Sequence, residues 1–239
     1  SFQEQANIAL RQHCKEGNLK WASLMLWAGA DPYEPGPDMN EIDFDPEDED
    51  WMNALDYAAF HDHYEVFELK QIKLDPQHPR AAKLLKHACF SRDARILAML
   101  LEKGFSPGER ADEGTALIQM CLNHLDFFID RWDSVSIQIP DRGDPNRNLD
   151  TRRAREKMKM IHLLAKNGAK WLPKEKNDIQ TVRRTLLKMK PDYTVEFIWI
   201  MAEYQASDKD SIVELIRTPS IKNILSAHQS TINDFLAKL

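Results

Sequence analysis

Lysine and arginine are absent from Trp21 to Leu69, a stretch that holds fourteen aspartates and glutamates. Cysteine is scarce. Cys14, Cys89 and Cys121 are odd in number and far apart, which excludes a disulfide framework and fits a reducing, cytoplasmic setting. No run of about 18 apolar residues occurs, so neither a transmembrane helix nor a membrane partner is expected. Ser1-Phe2-Gln3-Glu4-Gln5 lacks the basic-then-apolar pattern of a secretory leader, and the missing Met points to a trimmed start. The eight glycines form no phosphate loop, nucleophile elbow or dinucleotide fingerprint. The expectation is a protein without enzymatic activity, catalytic residues, cofactor or small-molecule substrate.

Metal chemistry is equally poorly served. His61-Asp62-His63 is the one compact cluster, yet histidines two apart on a helix diverge by about 200°. Cys121 and His124 lack the second pair that a zinc site needs. No metal is expected.

What the chain has is length, charge polarity and repetition. Its 239 residues suffice for a sizeable core, and the net charge is −6. From Arg152 to Lys190 thirteen basic residues stand against three acidic ones. A frame recurs along the chain: a leucine, a small residue four positions on, a bulky apolar residue eleven positions on. Leu10, Cys14 and Trp21 fit it, as do Leu55, Ala59 and Val66, and Leu85, Cys89 and Ile96. Leu186 and Phe197 keep the long interval, with Lys190 at the small position. Leu117 and Cys121 begin another copy, completed at Met160 after about 32 extra residues. Positions i and i+4 share a helix face, so the frame describes two short antiparallel helices whose first members approach closely at the small residue. The three cysteines fall on that packing position and are expected to be core side chains, not nucleophiles. Ala28-Gly29-Ala30-Asp31-Pro32, Lys103-Gly104-Phe105-Ser106-Pro107 and Asn167-Gly168-Ala169 close the copies with helix-stopping turns.

These residues resemble the ankyrin repeat. Leu24-Met25-Leu26 followed by Ala28-Gly29-Ala30-Asp31-Pro32 looks like that family's second helix and "GAD" turn. Gly114-Thr115-Ala116-Leu117 is similar to its "G-T-P-L" opening, and Asn53-Ala54-Leu55-Asp56-Tyr57-Ala58-Ala59 resembles "T-P-L-H-x-A-A". Asp62 and Arg92 stand where a loop glycine is usual. The resemblance implies an all-α fold, an α-solenoid of about five ankyrin-like helix-turn-helix repeats over 1–206, with insertions at 32–52 and 122–157. Residues 207–239 are read as C-terminal capping helices, with Asp208 and Thr218-Pro219 as helix starts.

Function on such arrays tends to sit in insertions. The first contains four prolines and the run Asp43-Phe44-Asp45-Pro46-Glu47-Asp48-Glu49-Asp50-Trp51. It reads either as a solvated surface loop or as an acidic lip. In the second reading Tyr33, Glu34, Asp38, Asp43, Phe44, Asp45, Glu47, Asp48 and Trp51 contact a basic protein, the aromatic residues serving as anchors. Pro46 and the missing central glycine argue against a calcium loop. The second insertion is expected to extend a helix through Phe127, Phe128 and Trp132 and then to loop out.

The expected function is therefore that of a protein–protein interaction scaffold or adaptor. By resemblance its concave face, formed by first helices and inter-repeat turns, grips another macromolecule. Two alternatives differ in kind. One is an effector or regulatory subunit with its activity in the inserted or C-terminal segment. The other is nucleic-acid binding through 152–190, where charge is present without a recognised motif.

Overall fold

The computed structural model describes residues 1–40, 51–108, 111–132 and 152–239. Among these the chain is helical throughout and no β-strand occurs. It divides into two compact units, Ser1–Phe105 and Ser106–Leu239. The 207–239 helices lie in the second unit.

In the first unit, α1 (Phe2–Glu16) and α2 (Leu19–Trp27) form a hairpin. Ser1 and Glu4 close a capping box at its start, each satisfying the other's backbone donor. Helix α3 (Ala54–Phe60) begins with the same device, built by Asn53 and Asp56, and leads into a 3₁₀ helix at Tyr64–Glu68. Helices α4 (Leu84–Ala88) and α5 (Arg95–Glu102) complete the unit. First helices pack on one another, α1 on α3 and α3 on α4. An α-helix was expected where the 3₁₀ turn stands. Only five residues separate His63 from the extended Leu69, with no side-chain cap to start them, which is too few to nucleate a stable α-helix.

In the second unit, α6 (Ala111–Trp132) packs on α7 (Arg152–Lys166) and on α8 (Lys176–Lys188). Helix α9 (Pro191–Glu203) packs on α7 and α8. Three shorter helices follow: α10 (Lys209–Ile216) against α8, then α11 (Pro219–Leu225) and α12 (Gln229–Lys238) against α9. Asp208 caps α10 through Ser211, as its type and place imply. Helix α6 runs on through Trp132, so the start of the second insertion does extend a first helix.

Leu10, Leu55, Leu85, Leu117 and Leu186 are all buried, each on a first helix. Cys14, Ala59, Cys89 and Cys121 are buried one turn later. At the eleventh position Val66, Ile96, Met160 and Phe197 are buried, but Trp21 is 46% exposed. Full burial of such a side chain is worth about 1.5–3 kcal/mol, so the frame follows the core.

Four turns repeat one geometry. Gly29, Gly104, Gly168 and Gln205 take left-handed φ values of 94°, 93°, 96° and 46°. The next amide donates back across each turn: Ala30 to Met25, Phe105 to Leu100, Ala169 to Leu164 and Ala206 to Met201, at 2.7–3.1 Å. Each turn satisfies the last carbonyls of a second helix and buries the residue behind it. Between α3 and the 3₁₀ helix, Asp62 adopts φ 65° at a place where Gly17 serves after α1. The His61-Asp62-His63 cluster is thus a turn.

Thr115 and Gly114 join the start of α6 to a distant turn. The Thr115 hydroxyl donates to Lys170 O at 2.9 Å and accepts from Leu172 N at 2.9 Å, tying α6 to the turn beyond α7. Gly114 lets that backbone approach, since a Cβ there would lie 2.7 Å from Lys170 N. Trp171, fully buried, donates from Nε1 to Gln119 Oε1 at 3.0 Å and meets Phe197 edge-on.

Candidate partner-binding surface

Helix α1 presents Arg11, Gln12 and Lys15 along one edge, and residues 33–40 are fastened to it. Buried Arg11 donates from Nε to Pro37 O at 2.7 Å and from a terminal nitrogen to Glu34 O at 2.9 Å. Charged donors make such bonds stronger than amide pairs. Lys15 pairs with Asp38, which is only 2% exposed and also accepts from Asn40 N at 2.8 Å. Asn40 in turn donates to Gln12 Oε1 at 3.2 Å, while Gly36 N donates to Met52 O at 3.2 Å. Asn40 and Met52 are thus both tied to the segment fastened along α1.

Tyr33, one of the expected aromatic anchors, is 7% exposed and bonds within the unit. Its hydroxyl donates to Lys73 O and accepts from Asp75 N, both at 2.9 Å, and its ring stacks on His78 at 4.0 Å. Burial first, then the carboxylates of Asp75 and Asp31, hold the phenol above its ordinary value, although the Asp75 amide opposes them. It stays a neutral donor. Glu34 pairs with Arg80. Tyr33, Glu34 and Asp38 are thus struts that fix the loop, because a Pro-rich segment without helix or strand needs side chains to hold its path. Trp51 is half-buried just before Asn53 caps α3. Asp43, Phe44, Asp45, Glu47 and Asp48 lie outside the described residues.

Sequence reasoning missed the surface beside these struts. The Lys15 ammonium lies 5.6 Å from the Tyr57 ring centre. His61 sits below its ordinary pKa through burial first, then through the charges of Lys15 and His63, with Asp38 opposing. Phe60 contacts His61 at 5.2 Å and Phe90 at 5.1 Å. Met39 and Phe60 reach solvent, 63% and 39% exposed. Neither stands at a frame position, so periodicity could not find them. The outer face of α2 is also apolar, with Trp21, Leu24 and Trp27 exposed beside Lys20.

The basic 152–190 stretch is partly internal. Arg183 donates from Nε to Leu215 O at 3.0 Å and from its end to Glu214 O, capping α10. Lys157 is buried, with Nζ 3.8 Å from Met160 Sδ. Burial first, then Lys157 and Arg153, push His124 down to about 3. Arg152, Arg155 and Arg184 remain on the surface.

All three cysteines are buried, and burial pushes the Cys14 thiol up to about 12. Among the described residues no group of three His, Cys, Asp or Glu side chains could hold a metal. No described helix is long and apolar enough to cross a membrane. Comparison with known protein families, curated proteins and solved structures returns no match for this chain.

Proposed function

We propose that this chain is a non-enzymatic scaffold of ankyrin-like hairpins that binds another protein along the ends of its first helices. The observation that carries the reading is the pairing of five buried leucines on first helices with four turns of one geometry. Repeated hairpins of this kind present side chains with little ordering cost, so a partner loses less entropy on binding. The charge asymmetry adds direction. Ser1–Phe105 holds 19 acidic and 11 basic side chains, and the remainder 19 and 21, so a basic partner is steered to the first unit.

Nucleic-acid binding through 152–190 is the weaker reading, since Lys157 and Arg183 are committed within the fold. The test is affinity capture by the intact chain, followed by hydrogen-exchange footprinting of the complex. Protection at the ends of α1, α3 and α4 is expected. Protection confined to α10–α12 would favour the effector alternative, and a complex lost on nuclease treatment would favour nucleic acid.

A further inference from the structure

We propose that the outer face of α2 is a self-association surface, on which a second copy of this chain packs its own α2 antiparallel across Leu24. This goes beyond the scaffold reading. It uses a second helix, where that reading uses the ends of first helices, and neither depends on the other.

Helical spacing makes the face continuous. Lys20, Leu24 and Trp27 stand at i, i+4 and i+7, so Lys20 and Trp27 lie within about 20° of one line and Leu24 falls between them along the helix. All three are exposed, Leu24 by 43% and Trp27 by 80%, and Trp21 flanks them one turn before Leu24. Ala22, on the opposite side of the helix, is fully buried. Helix α2 is thus packed on one side and bare on the other. Trp21 also occupies the frame position at which Val66, Ile96, Met160 and Phe197 are buried. The 3₁₀ helix that carries Val66 packs on α2, so a helix of this kind is what lies beside one such position in this chain.

Two features select a second copy as the occupant. The stripe is self-complementary. A two-fold axis between Ser23 and Leu24 has Lys20 about 5 Å along the helix on one side and Trp27 equally far on the other. Antiparallel pairing sets each Lys20 ammonium over the partner's Trp27 ring and brings the two Leu24 side chains together at the centre. Helix α2 carries no acidic residue and no second cation, so the pairing brings no like charges face to face. The area is also sufficient. Trp21, Leu24 and Trp27 together offer about 400 Å² of apolar surface, taking the usual size of such side chains. Two copies would cover about 800 Å², and Lys20 and Leu19 at the rim bring the total toward the roughly 1,200 Å² at the low end of specific interfaces. Such an interface forms at micromolar concentration and dissociates on dilution, when Trp27 returns to water.

Sedimentation equilibrium of the intact chain across the micromolar range tests the proposal. The mass should rise from 27.7 kDa toward twice that value, and tryptophan emission should move to the blue as Trp27 is covered. Leu24→Lys puts two ammonium groups at the axis, and Trp27→Lys sets cation against cation. Each should raise the dissociation constant by about tenfold or more, as loss of an interface anchor does. Lys20→Trp combined with Trp27→Lys exchanges the two ends of the stripe and should restore association. Val213→Lys, at an exposed apolar residue of α10, should change nothing. Trp27 points largely into solvent, so its variant should keep the wild-type thermal midpoint in dilute solution even if Leu24→Lys does not. A constant mass of 27.7 kDa, association indifferent to both α2 variants, or equal weakening by Val213→Lys would overturn the proposal. So would a Trp27→Lys defect that the exchange does not repair. Sedimentation with phosphatidylserine vesicles through Trp27, without self-association, would give the face to a membrane surface and overturn it as well.

Discussion

His87 Nδ1 lies 3.0 Å from Asp56 Oδ1, with both side chains buried, and the contact joins α4 to α3. Neither atom has a hydrogen-bond partner, so the two side chains meet as a close buried contact. Asp56 has a second duty, since its other oxygen accepts from Asn53 N at 3.0 Å in the α3 capping box.

Asp56→Ala should therefore cost more stability than His87→Ala, because it removes a cap as well as the contact. We expect about 0.5–3 kcal/mol for the histidine, the usual cost of truncating a buried side chain, and about 1 kcal/mol more for the aspartate through its lost cap. A double-mutant cycle by urea unfolding should give a coupling of about 0.5 kcal/mol or more. Additive losses would mean that the two side chains do not sense each other.

Gly114→Ala pits two effects against each other. In a helix interior the change ordinarily gains about 1 kcal/mol. Here the added carbon would lie 2.7 Å from Lys170 N and 3.0 Å from Ala169 Cα, both rigid backbone. Overpacking of that kind costs about 1–3 kcal/mol, so a net loss and a lower thermal midpoint are expected. A raised midpoint would show that α6 and the turn after α7 are not pressed together.

His124 makes the second unit acid-sensitive. Its folded pKa of about 3 compares with about 6.5 in an unfolded chain. Between those values the unfolded chain takes up a proton that the folded chain refuses, so stability falls as pH drops from about 6.5 toward about 3. Urea midpoints across that window should decline in the wild type and decline less in His124→Gln. Equal declines would remove His124 from the account.

The thiols should be silent. With all three buried and Cys14 at about 12, the thiolate that attacks a disulfide reagent is almost absent in the folded state. Titration with such a reagent should count none in buffer and three in denaturant. Rapid labelling in buffer would show an opening that the packing does not contain.

How far the fold is legible follows from what each feature depends on. Leu10, Leu55 and Leu186 announce themselves because burial on a helix face repeats at fixed spacing. Gly29, Gly104 and Gly168 announce three turns because a left-handed residue favours glycine. The fourth turn was invisible, since Gln205 takes the same conformation without the signature. Trp21 shows the converse: it satisfies the frame yet stays half in water, because a pattern fixes the face of a helix but not what lies against it. Tyr33 and Asp38 looked like contact residues because they border an acidic run. Their burial comes from Lys15, Lys73 and His78, up to 45 positions away, which no local pattern encodes. Met39 and Phe60 carry no periodic mark, and their exposure shows only in the folded chain.

The contrast between Trp27, 80% exposed on α2, and Trp171, sealed between Gln119 and Phe197, gives each unit its own optical reporter. Trp27 should emit at the red edge and be quenched readily by iodide, while Trp171 should emit at shorter wavelength and resist quenching. As denaturant rises, a blue component that persists after the first unit has melted would mark the two halves as independently cooperative. A single concerted shift would mark them as one thermodynamic body.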